Sequence, residues 1–150
     1  MYALDTCICI DFLRGKLPYA FRLMQETEPS LFKIPAIVEA ELRVGAEKSR
    51  NPGKTRLAVE GFLAPFEVLP FDSTAAGVYG ALRAELEKQG CVIGANDLLI
   101  AATALAHGAT LVTRNVREFK RVPGLALEDW AETSLPAGGN SCSRGESRRP

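Results

Sequence analysis

The sequence predicts an α/β fold with a mainly parallel central sheet. Short apolar segments typical of buried strands alternate along the chain with longer segments whose apolar residues follow helical spacing. Hydrophobic residues make up 47% of the 150 residues, enough for one domain with its own core. Parallel neighbours joined through helices are expected to follow right-handed crossovers.

The first half of the chain contains signals for three strands and four helices. Asp5 or Thr6 suits the N-cap of the first helix, which Gly15 and Pro18 end, and Pro35 suits the first turn of the third. The tripeptide at residues 51–53 is predicted to be a turn. The predicted strands are residues 2–4, 31–34 and 66–70, and the predicted helices are residues 6–14, 18–26, 35–48 and 54–63.

The second half predicts two further strands and two long helices. Asp72 is expected to cap a helix that ends at Gly90 and carries the apolar stripe Ala75, Tyr79, Leu82 and Leu86. Residues 95–107 form a helix that is apolar nearly all round and should be interior. Residues 110–113 and 125–128 are predicted strands, with a short segment to residue 119 between them. Residues 1–130 are thus expected to form the domain, and residues 131–150, rich in Pro, Gly, Ser and Arg, a disordered tail.

Charge and cysteine usage limit the classes of function. The 18 basic and 18 acidic residues give zero net charge, so any binding to nucleic acid must be local. No signal peptide is expected, and the longest apolar-rich stretch is about half of the roughly 20 residues that a membrane span needs. Cys7, Cys9, Cys91 and Cys142 lack zinc-site spacing and are predicted to be free thiols of a cytoplasmic protein.

Three acidic residues, Asp5, Glu41 and Asp97, stand in hydrophobic stretches far apart in sequence. Asp5 directly follows the first strand and Asp97 lies in the first turn of the interior helix, whereas Asn115 follows the strand at residues 110–113. Ligands of parallel sheets bind beyond the carboxyl ends of the strands, so these side chains are candidates for one site. Helical phase separates Glu41, on a partly apolar side, from Glu39, which is expected to pair with Arg43 at the surface.

A divalent cation is the natural partner of gathered carboxylates. Two unit charges about 4 Å apart repel by roughly 4 kcal/mol at an effective dielectric of 20. Mg²⁺ or Mn²⁺ removes this cost, prefers oxygen ligands and retains waters for chemistry on a phosphodiester. Structural roles stay open as alternatives: Asp5 as an N-cap, Asp97 as a first-turn acid favoured by the helix dipole, and Glu41 turned to solvent. Asp72 and Asp11 are interpreted as structural, with Asp11 on an exposed helix face.

Ordered motifs across the chain resemble the PIN-domain ribonucleases, and most closely the VapC toxins of bacterial and archaeal toxin–antitoxin pairs. The matching segments span residues 4–10, 40–49, 93–102, 111–119 and 122–125, together with Trp130. The resemblance implies a three-layer α/β/α domain that binds Mg²⁺ or Mn²⁺ and cleaves RNA, often structured RNA such as transfer RNA. It also implies a homodimer and a VapB-like antitoxin whose C-terminal segment reaches the acidic groove.

The resemblance assigns Asp5, Glu41 and Asp97 to the acidic triad of the family. We expect Asp5 and Asp97 to hold the metal and Glu41 to ligate it or orient the attacking water. Two positions depart from the family pattern: Cys7 replaces the common Asn or Ser, and Asn115 stands neutral at the fourth acidic position. The remaining site candidates are Asn115 for water or phosphate, Glu118 through water, Arg114 as a phosphate contact, and Thr6 and Thr113 as hydrogen-bond donors that orient the carboxylates.

Three other classes of function fit the sequence less well than a nuclease. A phosphatase with an aspartate nucleophile usually has a second acid two residues on, where this chain has Cys7. A receiver-like signalling domain needs a phosphoacceptor Asp after a central strand, for which the capping residue Asp72 is poorly suited. An inactive PIN-like regulatory binding module would not need its acids intact. Separately, the apolar surface of the first two helices predicts burial against a partner helix or a second subunit.

Overall fold

A computed structural model describes residues 1–130, and the predicted tail at residues 131–150 lies outside the described residues. Strands and helices alternate along most of this part. The strands are β1 (Tyr2–Leu4), β2 (Phe32–Pro35), β3 (Glu67–Leu69), β4 (Thr110–Val112) and β5 (Leu127–Glu128). The helices are α1 (Thr6–Leu13), α2 (Pro18–Glu26), α3 (Ala36–Glu47), α4 (Pro52–Leu63), α5 (Ser73–Lys88), α6 (Ala95–Ala106) and α7 (Val116–Phe119).

The strands form a single five-stranded sheet in the order β3-β2-β1-β4-β5, and every pairing is parallel. Successive residues of a strand face opposite sides of a sheet. Ala3 and Leu4 are both fully buried, as are Leu111 and Val112, so both faces of the central strands are covered. The predicted α/β fold with a parallel sheet between helical layers is confirmed.

The centre of the sheet is a topological switch point. From β1 the chain builds outward through β2 and β3 on one side, whereas β4 and β5 are added on the other. Leu4 is paired with Val112, so the residues that follow, Asp5 and Thr113, emerge side by side at the carboxyl edge. Ligand sites in parallel sheets lie in the crevice at such a reversal of strand order.

Local capping explains where element boundaries differ from the predicted ones. Pro35 ends β2 and serves as the N-cap of α3 with extended backbone angles, so it is not in the first turn of the helix. Helix α4 begins at Pro52, two residues earlier than predicted, because the Asn51 side chain accepts a hydrogen bond from the backbone N–H of Lys54 at 3.3 Å. Among the described residues, no helix is both long and apolar enough to cross a membrane.

Three aromatic rings, from β1, β2 and the segment after β5, pack together. Tyr2 stacks on Phe32 with ring centroids 5.6 Å apart, and Trp130 meets both rings edge-on at 5.7 and 5.6 Å. Trp130 is only 2% exposed. The last described residue is therefore part of the core.

Removing the N-cap of α5 should destabilise the domain. The Asp72 carboxylate accepts a hydrogen bond from the backbone N–H of Ala75 at 3.0 Å. We expect Asp72→Ala to lower the free energy of unfolding by about 1 kcal/mol in urea denaturation, because that N–H loses its partner. Asp72→Asn retains a capping oxygen and should stay within about 0.5 kcal/mol of the parent protein. Equal stability of Asp72→Ala and the parent would contradict the capping role.

Candidate active site

Hydrogen-bond donors that follow β1 and β4 hold the Asp5 side chain at the switch point. Its carboxylate accepts hydrogen bonds from the backbone N–H of Thr6 at 2.8 Å and from the Thr113 hydroxyl at 2.6 Å. Its own N–H donates to the carbonyl of Val112 at 2.9 Å. Asp5 is 5% exposed, yet it caps α1 and faces the crevice beyond β1 and β4. The N-cap role and a role in the site are therefore compatible.

Glu41 reaches the same region from α3. The Thr6 hydroxyl donates a hydrogen bond to Glu41 Oε2 at 2.5 Å, so the first residue of α1 contacts the acids of two elements. Glu39, on the other side of α3, forms the predicted ion pair with Arg43 at 2.8 Å. Helical phase thus separated the two glutamates correctly, although Glu39 is partly buried and not fully at the surface.

Asp97 and Glu118 complete a group of four carboxylates. Glu118 accepts hydrogen bonds from the Gly94 N–H and from the Asn115 side-chain amide, each at 2.8 Å. The Asp97 carboxyl, in the first turn of α6, lies close to Glu118, and each of the two carboxyl groups shifts the pKa of the other. We refer to Asp5, Glu41, Asp97 and Glu118 as the acid cluster.

The pKa values within the acid cluster diverge. Burial, followed by the charges of Asp5 and Glu118, raises the pKa of Asp97 to about 7. Burial also raises the pKa of Asp5, against the opposing effect of the Thr113 hydrogen bond. The Gly94 N–H and the Asn115 amide lower the pKa of Glu118. Asp97 is therefore the member of the acid cluster that most readily takes up a proton near neutral pH.

The donor set of the acid cluster fits a hard divalent cation, although the site is not preformed. Four carboxylates supply only oxygen ligands, as Mg²⁺ and Mn²⁺ prefer, and a bound cation would replace the proton on Asp97. Within residues 1–130, no three His, Cys, Asp or Glu side chains are already arranged to hold an ion. The predicted convergence of Asp5, Glu41 and Asp97 is therefore present as electrostatic coupling and not as a closed coordination shell.

Cys7 contacts Asp5 of the acid cluster, at the position where the family commonly has Asn or Ser. Its thiol lies 3.4 Å from Asp5 Oδ2 and 3.8 Å from the Thr113 hydroxyl. Burial and the charge of Asp5 raise the pKa of this thiol, so it stays protonated and contributes a weak hydrogen bond to Asp5. The predicted free thiols are confirmed for Cys7, Cys9 and Cys91, and Cys142 lies outside the described residues.

Arg114 forms an ion pair with Asp11, which was wrongly predicted to be exposed. Asp11 is 4% exposed, and its carboxylate pairs with Arg114 Nε at 3.1 Å. Asp11 follows the fully buried Ile8 by three positions, so both lie on the inner face of α1. This spacing was the available signal for a buried Asp11.

The sequence analysis also missed Gly94, whose backbone N–H donates a hydrogen bond to Glu118. Nothing in the local sequence pointed to this role.

A parallel α/β domain with an acid cluster at its switch point defines a class of proteins suited to cation-assisted chemistry on phosphate esters. The sequence matches the PIN domain family over residues 2–125. The chain belongs to the PIN domain family.

Relatives and solved structures of similar sequence are named for ribonucleases of toxin–antitoxin systems. "Ribonuclease VapC2" of Rickettsia felis is 42% identical over 87% of this chain and 98% of its own length. "tRNA(fMet)-specific endonuclease VapC" of Salmonella typhimurium is 41% identical over 86% of this chain and 97% of its own. The crystal structure of DNA-bound VapBC from Salmonella typhimurium superposes with a TM-score of 0.82 at 39% identity, covering 86% of this chain and 97% of that one.

Neutralising Asp97 should stabilise the metal-free protein at alkaline pH. Because the pKa of Asp97 is higher in the folded than in the unfolded chain, its contribution to folding worsens as pH rises from about 4 to about 7 and stays unfavourable above that. Discounted for solvent screening, Asp97→Asn should add about 1–2 kcal/mol of stability at pH 8 in EDTA and almost none at pH 4. Thermal or urea denaturation at both pH values measures this.

The matched control for Asp97→Asn is Glu60→Gln, which removes an exposed carboxylate of α4 and should not change stability with this pH dependence. Mg²⁺ should raise the melting temperature of the parent protein and do so much less for Asp97→Asn. A variant that is less stable than the parent at pH 8 would show that Asp97 is not destabilised by its acidic neighbours.

Proposed function

We propose that this PIN-domain chain is an endoribonuclease that depends on Mg²⁺ or Mn²⁺ and acts as the toxin of a toxin–antitoxin pair in the cytoplasm. The observation that carries the proposal is the acid cluster at the switch point of a fold shared with VapC ribonucleases. A receiver-like role is disfavoured because Asp72 is engaged as the N-cap of α5. An inactive binding module is disfavoured because its acids would have no need of hydrogen-bonding partners such as Thr6 and Thr113.

In the proposed mechanism, Asp5 and Asp97 would hold the metal, Glu41 would ligate it or orient the attacking water, and Glu118 would contribute through water. A bound Mg²⁺ or Mn²⁺ lowers the pKa of a coordinated water and stabilises the charge that develops on the phosphodiester. Glu41 Oε2 is occupied by the Thr6 hydroxyl, which leaves Oε1 to orient the attacking water and accept its proton. Before metal enters, the acid cluster repels the phosphate group that is to be cleaved, so the cation is also needed for that phosphate to enter the site.

Thr6, Thr113 and Asn115 keep the carboxylates in place for this chemistry. The two threonine hydroxyls donate to Glu41 and Asp5, and the Asn115 amide donates to Glu118. Asn115, expected from sequence to position water or phosphate, thus acts on the substrate through Glu118. Arg114, half-exposed beside the site, is a candidate contact for the scissile or a neighbouring phosphate.

An apolar cleft of about 430 Å³ between α1, α2 and α4 fits the proposed antitoxin. Aromatic side chains of these helices and of the segment after α4 line it: Phe12, Phe21, Phe62 and Phe66. Phe21 is 54% exposed, an unusual state for a large apolar side chain beside a groove. A helix of a VapB-like antitoxin would bury this surface. We also propose that the protein forms a homodimer and that its RNA substrates include transfer RNA.

The two glutamates of α3 provide a matched test of the nuclease. We expect purified protein to cleave RNA in Mg²⁺ or Mn²⁺ and to stop in EDTA. Glu41→Gln should lower kcat/KM by roughly 100-fold, because the amide still accepts the Thr6 hydrogen bond but cannot take a proton. Glu39→Gln changes the same charge two residues away and should retain activity within about twofold. Equal activity of the two variants would reject the assignment of Glu41.

Thr113 tests whether hydrogen bonding to Asp5 supports the reaction. Thr113→Val keeps the volume and removes the hydroxyl that donates to Asp5 and accepts from the Asn115 N–H. We expect cleavage to fall by roughly 10–100-fold and the apparent affinity for Mg²⁺ to weaken. Thr113→Ser restores the hydroxyl and should recover most of both quantities. If Thr113→Ser were as impaired as Thr113→Val in Mg²⁺ titrations, packing and not hydrogen bonding would be responsible.

A further inference from the structure

A second, basic cleft lies next to the acid cluster. It has a volume of about 430 Å³ and is formed by α7, its flanking residues and the edge strand β5. Three cations line it, Arg114, Arg117 and Lys120, against one carboxylate, Asp129. The chain as a whole is neutral, with 18 residues of each sign. Positive charge is therefore concentrated locally at this cleft.

Two of the three cations in the cleft have no side-chain partner within the described residues. Within residues 1–130, the side chains of Arg117 and Lys120 form neither a hydrogen bond nor an ion pair, and both are exposed. This contrasts with Arg43, Arg56 and Arg83, each paired with a glutamate. Arg114 is held through Nε by the buried Asp11, which fixes its guanidinium at the end of the cleft.

The basic cleft and the acid cluster share one helical turn. Arg117 on α7 and Lys120 at its C-cap lie three residues apart and form one row, and Arg114, which precedes the N-cap Asn115, lines the same cleft. Asn115 and Glu118, which belong to the acid cluster and its hydrogen bonds, are spaced in the same way and form the adjacent row. A polyanionic strand that passes the acid cluster therefore meets the row of cations within about one helical turn.

We propose that this basic cleft binds the phosphate backbone of the RNA strand beyond the cleavage site. The inference rests on the proposed function and adds to it a binding site separate from the metal centre. Arg117 and Lys120 supply mobile, unpaired charges for successive phosphates, and Arg114 supplies a fixed guanidinium between the two sites. Such contacts are independent of base sequence and set the position of the strand.

Binding of a labelled single-stranded RNA in EDTA, where no cleavage occurs, tests the cleft directly. The double variant Arg117→Gln with Lys120→Gln should lower the slope of log affinity against log salt by about 1.4, because each lost phosphate contact removes about 0.7. Affinity at about 0.1 M salt should fall by roughly tenfold or more. Both side chains are exposed, so the melting temperature should not change.

The matched control removes the same two charges from another surface. Arg83→Gln with Lys88→Gln on α5 should leave the salt dependence of RNA binding as in the parent protein. A double cleft variant with the slope of this control would overturn the inference, as would a parent protein that does not bind RNA. If the cleft variant instead lost affinity only for an acidic peptide such as polyglutamate, the occupant would be a protein and the RNA assignment would be wrong.

Failure of this inference is distinguishable from failure of the proposed function. Metal-dependent RNA cleavage with unchanged salt dependence in the cleft variant would remove the cleft and leave the nuclease intact. Loss of RNA affinity in the cleft variant, without any cleavage by the parent protein in Mg²⁺ or Mn²⁺, would support the cleft as an RNA-binding surface and reject the nuclease.

Discussion

The in-register pairing of β1 with β4 is the constraint on which the site depends. It places Asp5 beside Thr113, and the hydrogen bond between them joins the two halves of the sheet at its switch point. A shift of one residue would turn every side chain of either strand to the opposite face. Because both faces of these strands are buried, such a shift would place different side chains in both layers of the core. The hydrophobic core thus fixes the position of the first carboxylate.

Repulsion within the acid cluster is offset by donors that come from separate elements. The first turn of α1 supplies Thr6, the end of β4 supplies Thr113, and the backbone before α6 supplies the N–H of Gly94. These hydrogen bonds do not remove the cost of gathering the carboxylates, because the pKa of Asp97 is still raised to about 7. A fold selected for stability alone would not gather these groups. Perturbed carboxyls in a crevice are typical of sites that bind a cation or carry out chemistry.

Sequence reasoning succeeded where local pattern decides the outcome. Alternation of strands and helices, the N-caps of Asp5 and Asp72, and the phase of Glu41 are all properties of neighbouring residues. It failed where the decision is made across the fold. The ion pair of the buried Asp11 is formed with Arg114, about a hundred residues later, and no local spacing reveals that partner. The place of Glu118 depends on α6 approaching the segment after β4, which no local spacing in the sequence reveals.

The arrangement of charge on α7 explains how a neutral protein could handle a polyanion. One row of this single turn carries Asn115 and Glu118 toward the acid cluster, while the adjacent row carries cations toward the basic cleft. At physiological ionic strength, exposed charges act over roughly 8 Å, so fields of opposite sign can coexist only because they are this local. Net charge therefore gives no information about binding here. The relevant quantity is the order of charged residues along positions 114–120, where Glu118 of the acid cluster lies between the cleft residues Arg117 and Lys120.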